Sequence, residues 1–395
     1  MKILIPNLGS TSVKYRLFDF TGGDGTLLTR GGLERVSDHA EAIEQVLGEL
    51  REGGWVGSEE DLAAVGFKTI MAEGRTGCLE LTPEVVDSME ACNNIAPAHN
   101  PPYIRGIRLF AEKMPSVPLV GLFETAFFQW APEASTRYAV PQSWHDAGVR
   151  RWGFHGASHK FIAERSAELL DREDVAERAR NLYVDAGLPV DRSPLRVVSC
   201  HLGGSSSISG ILNGAAVGNS MGLSPQSGLP HNNRVGDLDS MAVLHMMRRD
   251  GLSVDDVETA LCNEGGLKGL SGGHNDIRDI ASEADSGNAQ AKLALDVFVH
   301  SARHWLGAYF AQLNGLDALV FTAGIGENRA SIRAAICAEL DQLGIRLDAE
   351  KNEAARAEEA IISADDSPVR VMVIPTNEEL VVAREVKRYL EHRRN

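Results

Sequence analysis

The 395-residue chain has no apolar run of the roughly 18 residues that a transmembrane helix needs, so no membrane span is expected. Its opening residues, Met1 to Pro6, lack the layout of a secretory leader, which points to a cytoplasmic location. Cysteines are few, odd in number at five, and scattered: Cys78, Cys92, Cys200, Cys262 and Cys337 form no C-x-x-C. That argues against a disulfide framework or a zinc ribbon, and fits small buried thiols in a reducing compartment. Cations are in deficit, 39 Lys and Arg against 55 Asp and Glu, a net charge of −16. Nothing in that balance would neutralise a phosphate backbone, so no nucleic-acid partner is expected. Neither a G-x-x-x-x-G-K-[ST] loop nor a G-x-G-x-x-G fingerprint occurs, which removes the P-loop and dinucleotide-binding readings.

What is present is a chain with 43% apolar and 24% charged residues, enough for a large core. At roughly 100–200 residues per domain, two domains are expected. Residues 2–6, 13–20, 63–71 and 118–123 read as strands, and Pro101-Pro102 opens a helix. A helix over 158–170 is expected with Ser158 as its cap. Further on, 196–202 is a strand, 203–207 a turn, and 208–212 a returning strand. A long helix spans 289–313, its apolar face marked by Leu295, Phe298, Ala302, Trp305 and Tyr309. After the strand 317–322, Ala323 to Gly326 turns into a helix starting near Asn328. A last strand (369–375) and a last helix (377–392) complete an α/β pattern. His300 and His304 sit four apart on the long helix, as metal ligands can. With no third ligand nearby, a packed or hydrogen-bonded pair is expected.

An internal repeat is the informative feature. Ile5-Pro6-Asn7-Leu8-Gly9-Ser10-Thr11-Ser12-Val13 parallels Ser199-Cys200-His201-Leu202-Gly203-Gly204-Ser205-Ser206-Ser207-Ile208. Each is a strand ending in polar-Leu-Gly, then a hydroxyl-rich bend, then an apolar restart. Two α/β halves facing a cleft would bring both bends to one ligand, where backbone N–H groups and hydroxyls cradle phosphate. Two ordinary hairpins would read the same way from spacing alone. A third glycine turn, Gly324-Ile325-Gly326-Glu327-Asn328, follows a strand and opens a helix, another place for phosphate or sugar oxygens.

At this point the ordered motifs resemble a known family. Asn7 to Tyr15 is similar to N-x-G-S-S-S-x-K-[YF], and Ala96 to Pro101 to A-P-L-H-N-P. Arg151 to His159 is close to R-R-Y-G-F-H-G-T-S-H. Ser220-Met221-Gly222, Arg234 to Asp239, Ser271 to Asp279, Gly324 to Asn328 and Thr376 to Glu379 supply the rest. The chain resembles the acetate kinase family, with its propionate kinase relatives, in the actin/hexokinase/Hsp70 superfamily. The resemblance implies duplicated actin-like (ribonuclease H-like) domains with mixed sheets, flanking helices and an interdomain cleft. The first domain would span 1–126 plus 377–395, and the second 127–376. It implies reversible, magnesium- or manganese-dependent phosphoryl transfer from ATP to a short carboxylate, giving ADP and an acyl phosphate, in a homodimer.

By the same resemblance, His155 and Arg234 would stabilise the transferring group, and Glu124 would stand at the catalytic aspartate's place. Asn7 and Glu378 would hold the metal. Lys14, Ser10 and Ser12 would reach the nucleotide phosphates. His201, Leu202, Gly203, Gly204 and Ser205 would form the second phosphate loop. Asp276, Ile277, Arg278 and Gly324, Ile325, Gly326, Glu327, Asn328 would line the adenosine site. Lys68 would bind the substrate, and Ile70, Ala98, Phe154 and Pro225 would line the acyl pocket.

The departures fall inside the site. Where the family has H-R-x-V-H-G-G, this chain reads Phe67-Lys68-Thr69-Ile70-Met71-Ala72-Glu73, so the substrate-binding arginine is Lys68. Charge survives, but the two-pronged grip does not. The aspartate of F-D-T-A-F-H is Glu124. The asparagine of H-L-G-N-G is Gly204, and the leucine of A-P-L-H-N-P is Ala98. An enzyme with a retuned acid preference, a nucleotide-binding regulatory homologue, and a kinase for another small acceptor all stay open on these residues.

Overall fold

The structure, a computed structural model, describes residues 1–9, 11–97, 99–190 and 192–393. Two six-stranded mixed sheets organise it. The first holds β1 (Lys2–Leu8), β2 (Ser12–Asp19), β3 (Thr26–Glu34), β4 (Leu62–Thr69), β5 (Cys78–Glu80) and β6 (Leu119–Phe123), in the order β3-β2-β1-β4-β6-β5. The second holds β7 (Arg196–Leu202), β8 (Ser206–Leu212), β9 (Ala215–Asn219), β10 (Ala318–Thr322), β11 (Ala360–Ile361) and β12 (Arg370–Val373), in the order β9-β8-β7-β10-β12-β11. The two orders correspond strand for strand. In each sheet the first two hairpin turns are antiparallel, and the inner strands β1, β4, β6 or β7, β10, β12 run parallel. The repeat seen in the sequence is thus a repeat of whole sheets.

Parallel strands covered on both faces need unbroken apolar sequence. β6 and β10 are buried at every residue, as Leu-Val-Gly-Leu-Phe and Ala-Leu-Val-Phe-Thr demand. On the first sheet, helices His39–Glu52 and Asn100–Lys113 cover one face. The other face is covered by helix Glu378–Arg393, whose Val381, Val382, Val386 and Leu390 lie on Ile3, Ile5, Val120 and Leu122. On the second sheet, helix Ala289–Leu313 covers one face and helix Gly156–Leu169 the other. Helices 156–169 and 378–393 also pack on each other. Between them Lys160 and Glu385 form an ion pair at 2.9 Å, each 1% exposed. No helix among the described residues is long and apolar enough to cross a membrane.

Three local expectations need correction. The helix expected at 158 begins at Gly156, with His155 at its N-cap in the left-handed region (φ 59°, ψ 34°). Ser158 is inside the first turn, with its hydroxyl on His201 rather than on the helix backbone. The glycine turn after β10 is itself the short helix Ala323–Asn328, and a second helix, Ala330–Cys337, follows. On helix 289–313 the buried stripe is Ala291, Ala294, Phe298, Ala302, Leu306, Tyr309 and Leu313, with Leu295 and Trp305 only partly covered. Small alanines let the helix approach β8, where Gly210 leaves room for the Tyr309 ring: a Cβ there would stand 2.5 Å from it.

Candidate active site at the carboxyl ends of the parallel strands

Ligands of open α/β sheets bind beyond the carboxyl ends of the parallel strands. Asn7 is near the end of β1, Lys68 of β4, and Glu124 directly follows β6. In the second sheet His201 is at the end of β7, Gly324 follows β10, and Glu378 lies a few residues past β12. The duplicated topology therefore delivers six predicted residues to equivalent places.

Lys68 pairs with Glu378 and lies 3.5 Å from Glu124. Burial alone would depress the Lys68 ammonium, but Glu378 and then Glu124 outweigh it and raise its pKa well above the ordinary value. Burial likewise opposes ionisation of Glu378, yet Lys68 and then His201 hold its carboxyl below the usual range. Glu124 is pushed up by burial, against the pull of Lys68. Both of its carboxylate oxygens are buried with no hydrogen-bond partner among the described residues. Asn7 Oδ1 accepts from the Tyr103 hydroxyl at 3.1 Å, and Tyr103 is itself within electrostatic reach of Lys68, Glu124 and Glu378.

A knot of imidazoles adjoins these charges. His155 stacks on His201, ring centroids 4.0 Å apart. His155 Nδ1 and His159 Nε2 are each 2.8 Å from Ser207 Oγ. His159 Nδ1 is 2.8 Å from Ser199 Oγ, and His201 Nδ1 is 2.8 Å from Ser158 Oγ. Burial drives His155 well below its ordinary pKa, and the other two imidazoles, Lys68 and Arg234 push the same way. Burial takes His201 down to about 4. Lys68 and Arg234 thus act on one neutral imidazole.

Arg234 donates to the Pro225 carbonyl at 2.7 Å, and burial brings its pKa down to about 10. Pro225 and Arg234 border a cavity of about 430 Å³ with Ala96, His99 and Cys262. Ile70 and Phe154 meet in an apolar cluster with Met71, Tyr103 and Met221. The Met and Tyr members were missed in the sequence, although Met221 stands in the Ser-Met-Gly motif. Ala98 and Ser10 lie outside the described residues.

Gly203, Gly204, Asp276, Ile277, Arg278, Gly324, Ile325 and Asn328 line one cavity of about 570 Å³, together with Asn232, Arg329 and Arg356. The second loop is anchored behind: Asn232 N–H donates to the Gly204 carbonyl at 3.0 Å, and the Ser206 amide donates to His231 Nδ1 at 3.0 Å. Leu202 is fully buried and Ser205 half-buried in the same bend. Asp276 caps its helix and holds Arg278 through both carboxylate oxygens. Gly326 and Glu327 back the wall: Gly326 gives its carbonyl to buried Arg333, and Glu327 accepts from the Ala323 amide at 2.8 Å. Lys14 stands apart from this cavity. It is cross-strand to Asn7, but its ammonium is 3.0 Å from Glu34 on the exposed surface. Ser12 sits beside Gly9, where a Cβ would be 2.6 Å from its hydroxyl. His300 and His304 are exposed and share no hydrogen bond, contrary to the expected pair. No cluster of three or more His, Cys, Asp or Glu that could hold a metal occurs among the described residues.

Two duplicated lobes, with glycine loops of the second beside the acid–base cluster of the first, define a phosphotransferase of the actin-like ATPase fold. A model of the acetokinase family matches residues 30–384. The chain is 37% identical to an acetate kinase of Natranaerobius thermophilus, over 98% of this chain and 99% of that one. Its structure is similar to that of Porphyromonas gingivalis acetate kinase (TM-score 0.84, 33% identity, 98% and 99% coverage). A propionate kinase from Francisella tularensis gives a TM-score of 0.83 at 31% identity, covering 97% and 98%. The chain belongs to the acetokinase family and is an acetate kinase-like, ATP-using phosphotransferase with a carboxyl group as acceptor.

Proposed function

We propose that this site moves the γ-phosphoryl group of ATP reversibly to acetate, propionate or a related short acid. What carries the reading is the stacking of His155 on His201, ring centroids 4.0 Å apart at the start of the 201–205 bend, with Lys68 and Arg234 both acting on that imidazole. Phosphoryl transfer asks for positioning and charge neutralisation more than for covalent chemistry. ATP lies with its adenosine in the cavity walled by Asp276–Arg278 and Gly324–Asn328, and its phosphates along the 201–205 bend. The acid lies against Ile70, Phe154 and Pro225. His155 and Arg234 hold the equatorial oxygens of the moving group, and Lys68 neutralises the acceptor carboxylate.

Oxygen donors suit magnesium or manganese, which bind through one or two carboxylates plus substrate phosphates. Asn7 and Glu378 supply such donors, and the Glu124 carboxylate, ion-paired with Lys68 but without a hydrogen bond among the described residues, adds a third oxygen group nearby. When bound, the ion would neutralise the nucleotide phosphates. The two halves, 1–126 with 377–395 and 127–376, act as domains that close over the cleft and exclude water. We read the enzyme as a cytoplasmic homodimer. Helices Ser240–Asp250 and Val254–Asn263 have no buried residue, and Met241 (55% exposed), Leu244 and Val254 (70%) are left for a second copy to cover.

The ion pair of Lys68 with Glu378 favours a second reading, nucleotide binding without turnover. A hydroxamate trap with ATP, magnesium and straight-chain acids from acetate to valerate separates the two. Acyl hydroxamate from any acid supports the kinase. Nucleotide binding with no product across the series supports the regulatory homologue.

A further inference from the structure

We propose that Ser199, His159 and Ser207 form a hydrogen-bond wire that sets His155 as its neutral Nε2–H tautomer, presenting an N–H to the transferring phosphoryl group. The proposal rests on the kinase reading above for the identity of that group, but not for the wire itself.

The contacts are sequential. Ser199 Oγ meets His159 Nδ1, His159 Nε2 meets Ser207 Oγ, and Ser207 Oγ meets His155 Nδ1, each at 2.8 Å. A hydroxyl has one proton to give, and a neutral imidazole has one N–H and one bare nitrogen. The proton order along the wire therefore has two directions in which Ser207 both accepts and donates. In one, Ser199 donates to His159, His159 donates to Ser207, and Ser207 donates to His155 Nδ1. In the other, every bond is reversed and His155 is left with a bare Nε2. A third order, in which Ser207 accepts from both imidazoles, strands its own fully buried O–H.

Burial chooses between them. Ser199 is 0% exposed, and its hydroxyl has no other partner among the described residues. The reversed direction would strand that buried O–H without an acceptor, the costly way to leave a hydroxyl. The forward direction leaves only the His155 Nε2–H without an acceptor, on a half-buried residue rather than a fully enclosed one. His159 and Ser207 are also 0% exposed, so water does not relieve the reversed order. Burial disfavours the charged form of both imidazoles of the wire, which keeps a second proton off it.

The free end of the wire faces the loops that would hold phosphate. His155 Nε2 has no hydrogen-bond partner among the described residues. Its ring stacks on His201, whose Nε2 is 4.0 Å from where a Cβ on Gly203 would stand. A bare nitrogen there would repel a phosphoryl oxygen, whereas an N–H donates to it. Ser199, His159 and Ser207 are positioning residues: they act through His155, as a triad's orienting carboxylate acts through its histidine.

The test reads the tautomer directly. Imidazole nitrogen NMR on isotope-labelled, ligand-free protein, with His155→Gln to assign the signals, is expected to show His155 protonated at Nε2 and bare at Nδ1. In Ser207→Ala that bias is lost. We expect kcat to fall roughly tenfold or more with KM for ATP and acid within about twofold, as for loss of an oriented donor. Ser207→Thr restores both. Ser199→Ala moves the tautomer in the same direction by a smaller amount, and decides the matter if Ser207→Ala fails to fold. A wild-type His155 protonated at Nδ1, or a tautomer unchanged in the serine-to-alanine variants, overturns the wire. A shifted tautomer with unchanged kcat overturns its link to phosphoryl transfer. If the tautomer is as expected and no acid is phosphorylated, the kinase reading fails while the wire stands.

Discussion

Lys68 and Glu124 differ together from the family pattern, and the structure puts them 3.5 Å apart. A lysine gives a point charge on a flexible stem where arginine gives a rigid fork, and a glutamate reaches one methylene further than an aspartate. The two changes are thus geometrically coupled. We expect Lys68→Arg and Glu124→Asp each to lower kcat/KM alone, and the double variant to recover much of the loss. The coupling in a double-mutant cycle should be about 1–3 kcal/mol. His155→Ala should lower kcat roughly 100-fold with nucleotide affinity retained, checked by steady-state kinetics alongside calorimetric nucleotide binding. The motif residues Asn7, Lys68, Glu124, His155 and Glu378 were legible in the sequence because each stands in a short ordered signature. Ser199, Ser207 and Tyr103 were not. Their importance comes from partners dozens of residues away, for example Ser207 on His155 and His159, and nothing local marks a buried hydroxyl as a partner.

At the scale of elements, the start of helix 156–169 decides how the two lobes meet at the site. Gly156 follows His155 directly, and its amide donates to the Glu124 carbonyl at 3.0 Å. A Cβ on Gly156 would stand 2.3 Å from that oxygen. Gly156→Ala should therefore push the helix away from Glu124, destabilise the fold by about 1–3 kcal/mol, and lower kcat. Denaturant melts and kinetics on the same preparation check both effects. The sequence marked some elements well: strand 196–202 and helix 289–313 stand where their patterns put them. The beginning of helix 156–169 was misread for a physical reason. Its N-cap is a histidine in left-handed backbone, a conformation unusual for a non-glycine residue and without the Ser, Asp or Asn signal that marks most caps. The helix 323–328 was likewise misread, because two glycines in one turn look like a loop.

In the whole molecule, several histidines are buried uncharged. Burial holds His231 at about 3, and His99 and His201 at about 4. Each folded value is below the unfolded one near 6.5, so the unfolded chain binds more protons as the pH falls. Stability then rises with pH between about 3 and 6.5 and is lost on acidification, at about 1.4 kcal/mol per pH unit for each such ring. Thermal melts from pH 8 to 5 should show this slope, and His231→Asn should flatten it by about one ring's share. The exposed apolar helices give a second whole-molecule prediction. Met241→Glu with Val254→Glu should convert the proposed dimer to monomer by light scattering, with the monomer's helical content unchanged. The duplicated layout was legible from the paired bends at 5–13 and 199–208, which correspond to the β1–β2 and β7–β8 hairpins.

The return of helix 378–393 to the first sheet has a consequence for how the chain is made. Ile3, Ile5, Val120 and Leu122 have their cover in Val381, Val382, Val386 and Leu390. During translation the amino-terminal sheet therefore emerges first yet keeps one oily face bare until these last helical residues leave the ribosome. The later-made sheet receives its own β12 only a few residues earlier, so both halves are completed by the same short stretch of chain, 370–393.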